Sequence, residues 1–310
     1  MFTMKLRKTA AVAIAVLALS ATACGGKEGS AGDKPTGIKP GSSNAPQLPK
    51  YVVATEVKLD ASATFKKAKE RGKLIIGSKA DQPYLGFEDQ ATKKRSGFDI
   101  EIAKMIAADL GFTEDQIEWK TVDSKLRETA ISTGQVDYYV GTYTINDKRK
   151  AQVGFAGPYY KAGADLLVRK DDNSITGPKS VKGKKVCSIT GSTPLQEIKK
   201  PEYGAQTTEL AKYSDCVQQL LTKQVDAVTT DDSILKGYAA ANSGKLKVVG
   251  ETFTEEPYGV GMNKDDKALR EAINKSLETH IKDGTYKKIY EATLGLSGSG
   301  FVEPPAIVRY

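Results

Sequence analysis

Twice along this chain, short apolar runs alternate with segments whose apolar residues recur at helical spacing, and no other feature restricts the fold as much. In the first block Asp60 to Arg71 is expected as a helix and L-I-I-G (Leu74 to Gly77) as a buried strand. Phe98, Ile102, Met105, Ile106 and Leu110 then repeat at helical spacing, with Gly111 as the stop. E-W-K-T-V follows as a strand, Lys125 to Thr133 as a helix and V-D-Y-Y-V as a strand. The second block repeats the order. K-V-C-S-I is a strand, Pro194 to Lys200 and Tyr213 to Lys223 are helices, V-D-A-V-T-T is a strand, Ser233 to Ala241 a helix and L-K-V-V-G a strand. Beyond Thr252 come a connection, the strand Y-G-V-G-M, two amphipathic helices ending near Leu294, and a tail packed on the surface. This alternation predicts an α/β body with largely parallel sheets.

The N-terminus reads as something other than fold. Met1 to Lys8 is basic, Thr9 to Ala23 is an uncharged and mostly apolar run, and A-T-A-C brings small residues up to Cys24. That order matches a bacterial lipoprotein signal, in which the cysteine thiol is diacylated and becomes the new N-terminus. Removing residues 1–23 takes away Lys5, Arg7 and Lys8 and no acid, so the net charge of +8 falls to +5. The remaining excess is spread along the chain, with no basic block of the kind that grips nucleic acid. The stretch from Gly25 to about Lys50 is rich in Gly, Ser, Pro and Lys and reads as a flexible tether.

With Cys24 accounted for, Cys187 and Cys216 remain, and an even pair in an exported chain suggests a disulfide. The single histidine, His280, lies among the apolar positions of a late helix, so a histidine-based metal site or a serine–histidine triad has almost no material. Neither a metal nor a cofactor is expected.

In α/β sheets ligands dock at the carboxyl ends of strands. Those ends collect Lys79, Arg127 and Arg149, the hydroxyls of Ser124, Thr142, Thr144, Ser192 and Thr193, the ring of Tyr84, and the carboxylates of Asp231 and Asp232. The inventory suits a zwitterion. An α-carboxylate calls for a bidentate arginine with hydroxyl and N–H donors, and an ammonium calls for a carboxylate. The cations beyond Arg149 exceed the needs of one carboxylate and suggest an acidic side chain on the ligand.

Five stretches carry a family resemblance: G-F-D-I-E-I-A-K, V-D-Y-Y-V-G-T-Y-T-I-N-D-K-R-K, V-G-F-A-G-P-Y-Y, K-G-K-K-V-C-S-I-T-G-S-T-P and Q-V-D-A-V-T-T-D-D. Through them, over roughly residues 60–297, the chain resembles the extracytoplasmic solute-binding proteins of family 3, amino-acid receptors of ABC importers, and within these the glutamate-binding lipoproteins. The resemblance implies a two-lobe, type II periplasmic-binding-protein-like fold with a hinge of two crossing segments. The chain then divides into a signal peptide (1–23), a lipidated cysteine and tether (24–58), the first part of lobe 1 (59–165), lobe 2 (166–252), and a return to lobe 1 with C-terminal helices and tail (253–310).

The same resemblance implies roles. Arg149 clamps the α-carboxylate with Thr144, Thr142 lines the floor and offers its carbonyl to the ammonium, and Asp231 pairs with the ammonium. Ser192 and Thr193 are donors from lobe 2, while Ser124, Arg127 and Lys79 serve an acidic side chain and Tyr84 stacks over the ligand. A lobe-two disulfide between Cys187 and Cys216 is implied as well.

The expected function is a lipid-anchored, monomeric receptor that passes L-glutamate or L-aspartate to ABC permease subunits. A glutamine or broader polar receptor is the nearest alternative. A dehydratase-type enzyme on the same scaffold is a further one, which would need a placed general acid or base. A sensory module reporting to a membrane partner is the third.

Overall fold

The computed structural model describes residues 46–309; the signal peptide, Cys24 and most of the expected tether lie outside them. In chain order the first lobe opens with helix α1 (Ala63–Arg71), which Ser62 caps by accepting the Phe65 N–H, and which ends at Gly72 in a left-handed turn. Strand β1 (Leu74–Ser78) follows, then a small antiparallel sheet of β2 (Asp81–Gln82), β3 (Gly86–Glu88) and β4 (Arg95–Ser96). After helix α2 (Phe98–Asp109) come β5 (Ile117–Thr121), α3 (Arg127–Ser132), β6 (Tyr138–Tyr139), the single turn α4 (Asp147–Lys150) and the long β7 (Gly154–Ala162).

The second lobe comprises β8 (Ala164–Arg169), β9 (Lys185–Ile189), α5 (Thr193–Ile198), β10 (Gln206–Leu210), α6 (Tyr213–Leu221), β11 (Ala227–Asp231), α7 (Asp232–Ala241) and β12 (Leu246–Val249). The chain then returns through β13 (Glu256–Met262) to α8 (Lys267–Lys282) and α9 (Thr285–Ala292).

Each lobe is built on one five-stranded sheet, in the orders β5-β1-β6-β13-β7 and β10-β9-β11-β8-β12. The expectation of largely parallel sheets is half met. In each sheet the first three strands run parallel, and β13 with β7, or β8 with β12, pair antiparallel. The antiparallel strands are those that carry the chain between lobes. They cross at Gly163 and again between Val249 and Glu256, and the crossings touch: Phe253 N–H donates to the Ala164 carbonyl (2.9 Å), and Ala164 N–H to Thr254 Oγ1 (2.9 Å). A Cβ on Gly163 would lie 2.5 Å from both Thr254 O and Thr252 Cβ, so this crossing admits only glycine.

Strands β7, β8 and β10 were not anticipated. The first two are buried along almost their whole length and show no alternation, while β10 is a polar edge strand. Within the span 24–58 assigned to the lipidated cysteine and tether, Tyr51 donates its hydroxyl to Glu101 (2.8 Å) and Ala54 N–H bonds the Ala108 carbonyl (2.9 Å), which lays this segment along α2. The first-lobe core centres on Phe98, whose ring stands 5.5–6.1 Å from those of Tyr159, Tyr160, Tyr286 and Tyr290. In the second lobe Cys187 of β9 and Cys216 of α6 are joined by a disulfide, with Cα atoms 5.5 Å apart. His280 lies in α8 between Asp109 and Asp283, 3.1 Å from each. Among the described residues no helix is long and apolar enough to cross a membrane.

Candidate functional site

The loops after β1, β5, β6, β9 and β11 converge between the lobes, and with them most of the residues singled out above. Ser124, Arg127, Thr142, Thr144 and Arg149 of the first lobe face Ser192, Thr193, Pro194, Tyr213, Asp231 and Ile234 of the second across a cavity of about 10 Å³. A space of that size holds about one water molecule.

The first lobe supplies the cations. The Arg127 and Arg149 guanidinium carbons lie 4.4 and 4.9 Å from the centroid of the Tyr143 ring, which gives both a shared aromatic floor. Arg149 donates to the Thr144 carbonyl (2.7 Å), so the arginine does return over the strand end from which its loop departs. Arg127 donates to the carbonyls of Ser124 (3.0 Å) and Thr142 (3.2 Å). Both arginines also reach the Gly191 carbonyl in the other lobe, at 3.2 and 3.0 Å. Glu128 stands 3.4 Å from Arg149 Nε. Burial, with Arg127 beside it, pulls the Arg149 guanidinium down to about 10.

Lys79 joins the cluster through Ser124, whose Oγ accepts from Nζ at 2.8 Å. Its side chain is buried, yet it lines a groove outside the central cavity, with Asp81, Asp123 and Lys212. Burial, reinforced by Arg127, pulls its ammonium down to about 7.

Asp231 ends β11 and stands at the cap position before α7. Its Oδ2 accepts the Tyr258 hydroxyl (2.6 Å), whereas Oδ1 is buried without a hydrogen-bond partner. Burial, with Glu256 nearby, pushes this carboxyl well above the usual range. Asp232, one residue on, belongs to the crossing instead: its N–H and Oδ1 bond the Gly163 carbonyl and N–H (2.8 and 3.2 Å), and it pairs with Lys236.

At the start of α5, Ser192 uses its hydroxyl on the Ile189 carbonyl (2.8 Å) and as acceptor for the Leu195 N–H (3.2 Å), so it serves as a helix cap. Thr193 Oγ1 lies 3.3 Å from Thr144 Oγ1 across the cleft and donates to Glu256 Oε2 (2.5 Å). The Thr142 carbonyl, expected to meet an ammonium, already accepts from Arg127.

Tyr84 is not brought into the cluster. Its backbone takes a left-handed turn (φ 66°), and its ring lines a separate apolar groove with Leu48, Phe87, Ala241 and Leu296. The aromatic residues that do border or floor the cavity, Tyr213 and Tyr143, went unrecognised, as did Gly191, Glu256 and Tyr258. Tyr143 stood between the two threonines already singled out, which was its one signal. Glu256 and Tyr258 come from a strand distant in sequence and gave none.

Residues 74–295 match the family model of bacterial extracellular solute-binding proteins, family 3. Among curated relatives, the glutamate-binding protein GluB of Corynebacterium efficiens is 41% identical over 236 residues, 73% of this chain and 80% of the relative. The ABC transporter glutamine-binding protein GlnH of Bacillus subtilis is 36% identical, over 74% of this chain and 83% of its own length. Among solved structures, an ancestral arginine-binding protein bound to glutamine is 41% identical, with a TM-score of 0.68, covering 73% of this chain and 99% of that one.

Proposed function

The chain belongs to the bacterial extracellular solute-binding proteins of family 3, amino-acid receptors of ABC importers, and from that premise we propose that its ligand is an acidic amino acid, L-glutamate first and L-aspartate second. The single observation that carries this reading is the opposition across one cavity of two buried arginines and the unpartnered Oδ1 of Asp231. An arginine fork takes a carboxylate, and an orphaned buried carboxylate oxygen takes an ammonium. Arg149, held at the Thr144 carbonyl, takes the α-carboxylate with the Thr144 and Thr193 hydroxyls beside it. Arg127, with Ser124 and Lys79 behind it, takes the side-chain carboxylate. An arginine buried against a neutral amide would forgo its charge partner, which is the basis of discrimination.

Both curated relatives are named as amino-acid-binding proteins, one of them of an ABC transporter. A glutamine receptor is the second reading, supported by the glutamine-binding relative. Calorimetric titration of the folded body with L-glutamate, L-aspartate, L-glutamine and L-arginine separates the two. Tight binding of glutamine or arginine without a response to glutamate rejects the acidic reading.

The proposal extends to the N-terminus. Residues 1–23 act as a signal peptide, and Cys24 carries the lipid that holds a monomeric receptor at the outer face of the cell membrane. Metabolic labelling with palmitate tests this: the label is expected on the wild type and absent from Cys24→Ala, and label retained by the variant refutes it.

A further inference from the structure

Thr142 has φ of 48°, a left-handed conformation that a β-branched residue seldom adopts. Every polar atom of that threonine is held. Its N–H donates to Asp99 Oδ2 (2.9 Å), its Oγ1 meets the Gln82 side-chain amide (3.2 Å), and its carbonyl accepts from Arg127 (3.2 Å). The other Asp99 oxygen accepts the Tyr159 hydroxyl at 2.8 Å. Asp99 itself is wholly buried in the first turn of α2, a helix fixed in place by the ring of Phe98 among its four tyrosines.

We propose that Asp99 is a positioning residue of the ligand site: it holds Thr142 in its left-handed turn and thereby sets where Arg127 stands. Two donors converge on this side chain, the Thr142 N–H on one oxygen and the Tyr159 hydroxyl on the other, and the ionised carboxylate accepts from both at once. With the carboxylate in place, the threonine carbonyl points at the Arg127 guanidinium, which is stacked on Tyr143. Without it, the strained turn relaxes toward ordinary backbone angles and takes that acceptor away from Arg127. Burial pushes the Asp99 carboxyl up to about 6, so the acceptor-only form prevails at neutral pH. The inference rests on the reading that Arg127 and Thr142 face the ligand, and it adds a residue that touches no ligand itself.

A double-mutant cycle on binding tests it, with Thr142→Gly as the second change because glycine takes positive φ without support. L-glutamate, L-glutamine and L-arginine are first titrated into the wild type, and the tightest becomes the probe. A probe other than glutamate counts against the proposed ligand and leaves the Asp99 test intact. Asp99→Ala is expected to weaken the probe by about tenfold or more in the wild-type background, and by no more than about threefold in the Thr142→Gly background. A purely structural aspartate would weaken binding by the same factor in both. Equal factors, or Asp99→Ala binding like wild type, overturn the proposal. Should Asp99→Ala fail to give the folded circular-dichroism spectrum, Tyr159→Phe replaces it. That variant removes the other hydrogen bond orienting the carboxylate, and the same comparison decides: a loss confined to the wild-type background supports the proposal, and an equal loss overturns it.

Discussion

Gly191 of the second lobe stands so close to Lys125 of the first that a Cβ on it would lie 2.7 Å from the Lys125 Cα. No side chain fits there while the lobes are together, and the glycine's φ of 86° is itself one that other residues resist. Gly191→Ala is therefore expected to hold the lobes apart and weaken amino-acid binding by about a hundredfold, the order of a few kcal/mol. Small-angle scattering should show a larger radius of gyration in the presence of saturating ligand. A variant that closes and binds like the wild type would remove Gly191 from the closure contact.

Asp231 predicts proton release. Its carboxyl is pushed up by burial and by Glu256, and an ammonium docked on its orphaned oxygen favours the charged form. Measured in the Lys79→Met variant, so that the lysine does not titrate, the binding enthalpy at pH 6 to 7 should differ between phosphate and Tris buffers by the heat of the released proton. An enthalpy independent of buffer would mean that Asp231 is already ionised or does not meet the ammonium.

Lys79 makes a prediction about stability in the absence of ligand. Its folded-state pKa is lowered to about 7 from the ordinary 10.5. Between those values the unfolded chain keeps a proton that the folded one has lost, so stability rises with pH across that window, and below about 7 the full penalty of the buried charge remains. At about 1.4 kcal/mol per pKa unit the effect amounts to several kcal/mol at most. Urea denaturation from pH 7 to 10 should show the rise in the wild type and a flatter profile in Lys79→Met. Parallel profiles would place the lysine in water.

The disulfide closes a loop with a sequence separation of 29, which in the chain-entropy model stabilises by about 3 kcal/mol. Replacing both cysteines by serine should lower the unfolding free energy by about that amount. Affinity at temperatures well below the transition should stay within a factor of a few, because neither cysteine borders the cavity. A large loss of affinity in a protein that remains folded would show that the bridge also sets the α5 loop.

Legibility in the sequence followed the range of the contacts. Thr142, Thr144 and Arg149 could be found together because one short loop carries all three, and the β6–α4 turn brings Arg149 back to the Thr144 carbonyl. Strands β9, β11 and β13 were read from their short apolar runs, and they are buried on both faces. In β7 the run is broken by Gly157 and Pro158, in β8 it lies between Asp165 and Arg169, and β10 (Q-T-T-E-L) carries a single apolar residue. Tyr84 takes a left-handed turn and lines the groove with Leu48 and Phe87 instead of the central cavity, and a local reading has no access to that backbone angle. Asp99 and Glu256 owe their places to partners across the fold, Thr142 and Tyr159 for the one and Thr193 for the other. Nothing beside them in the chain announces those partners.

The central claim is that two arginines on one aromatic floor divide two carboxylates between them. Titrating L-glutamate and L-glutamine into wild type, Arg149→Ala and Arg127→Ala tests it most directly. Arg149→Ala should lose both ligands beyond detection. Arg127→Ala should weaken glutamate by about a hundredfold or more while glutamine changes by less than about tenfold, since removing one partner of a buried charge pair costs about 2–5 kcal/mol. Equal losses of both ligands from Arg127→Ala would contradict the division of roles and, with it, the acidic ligand.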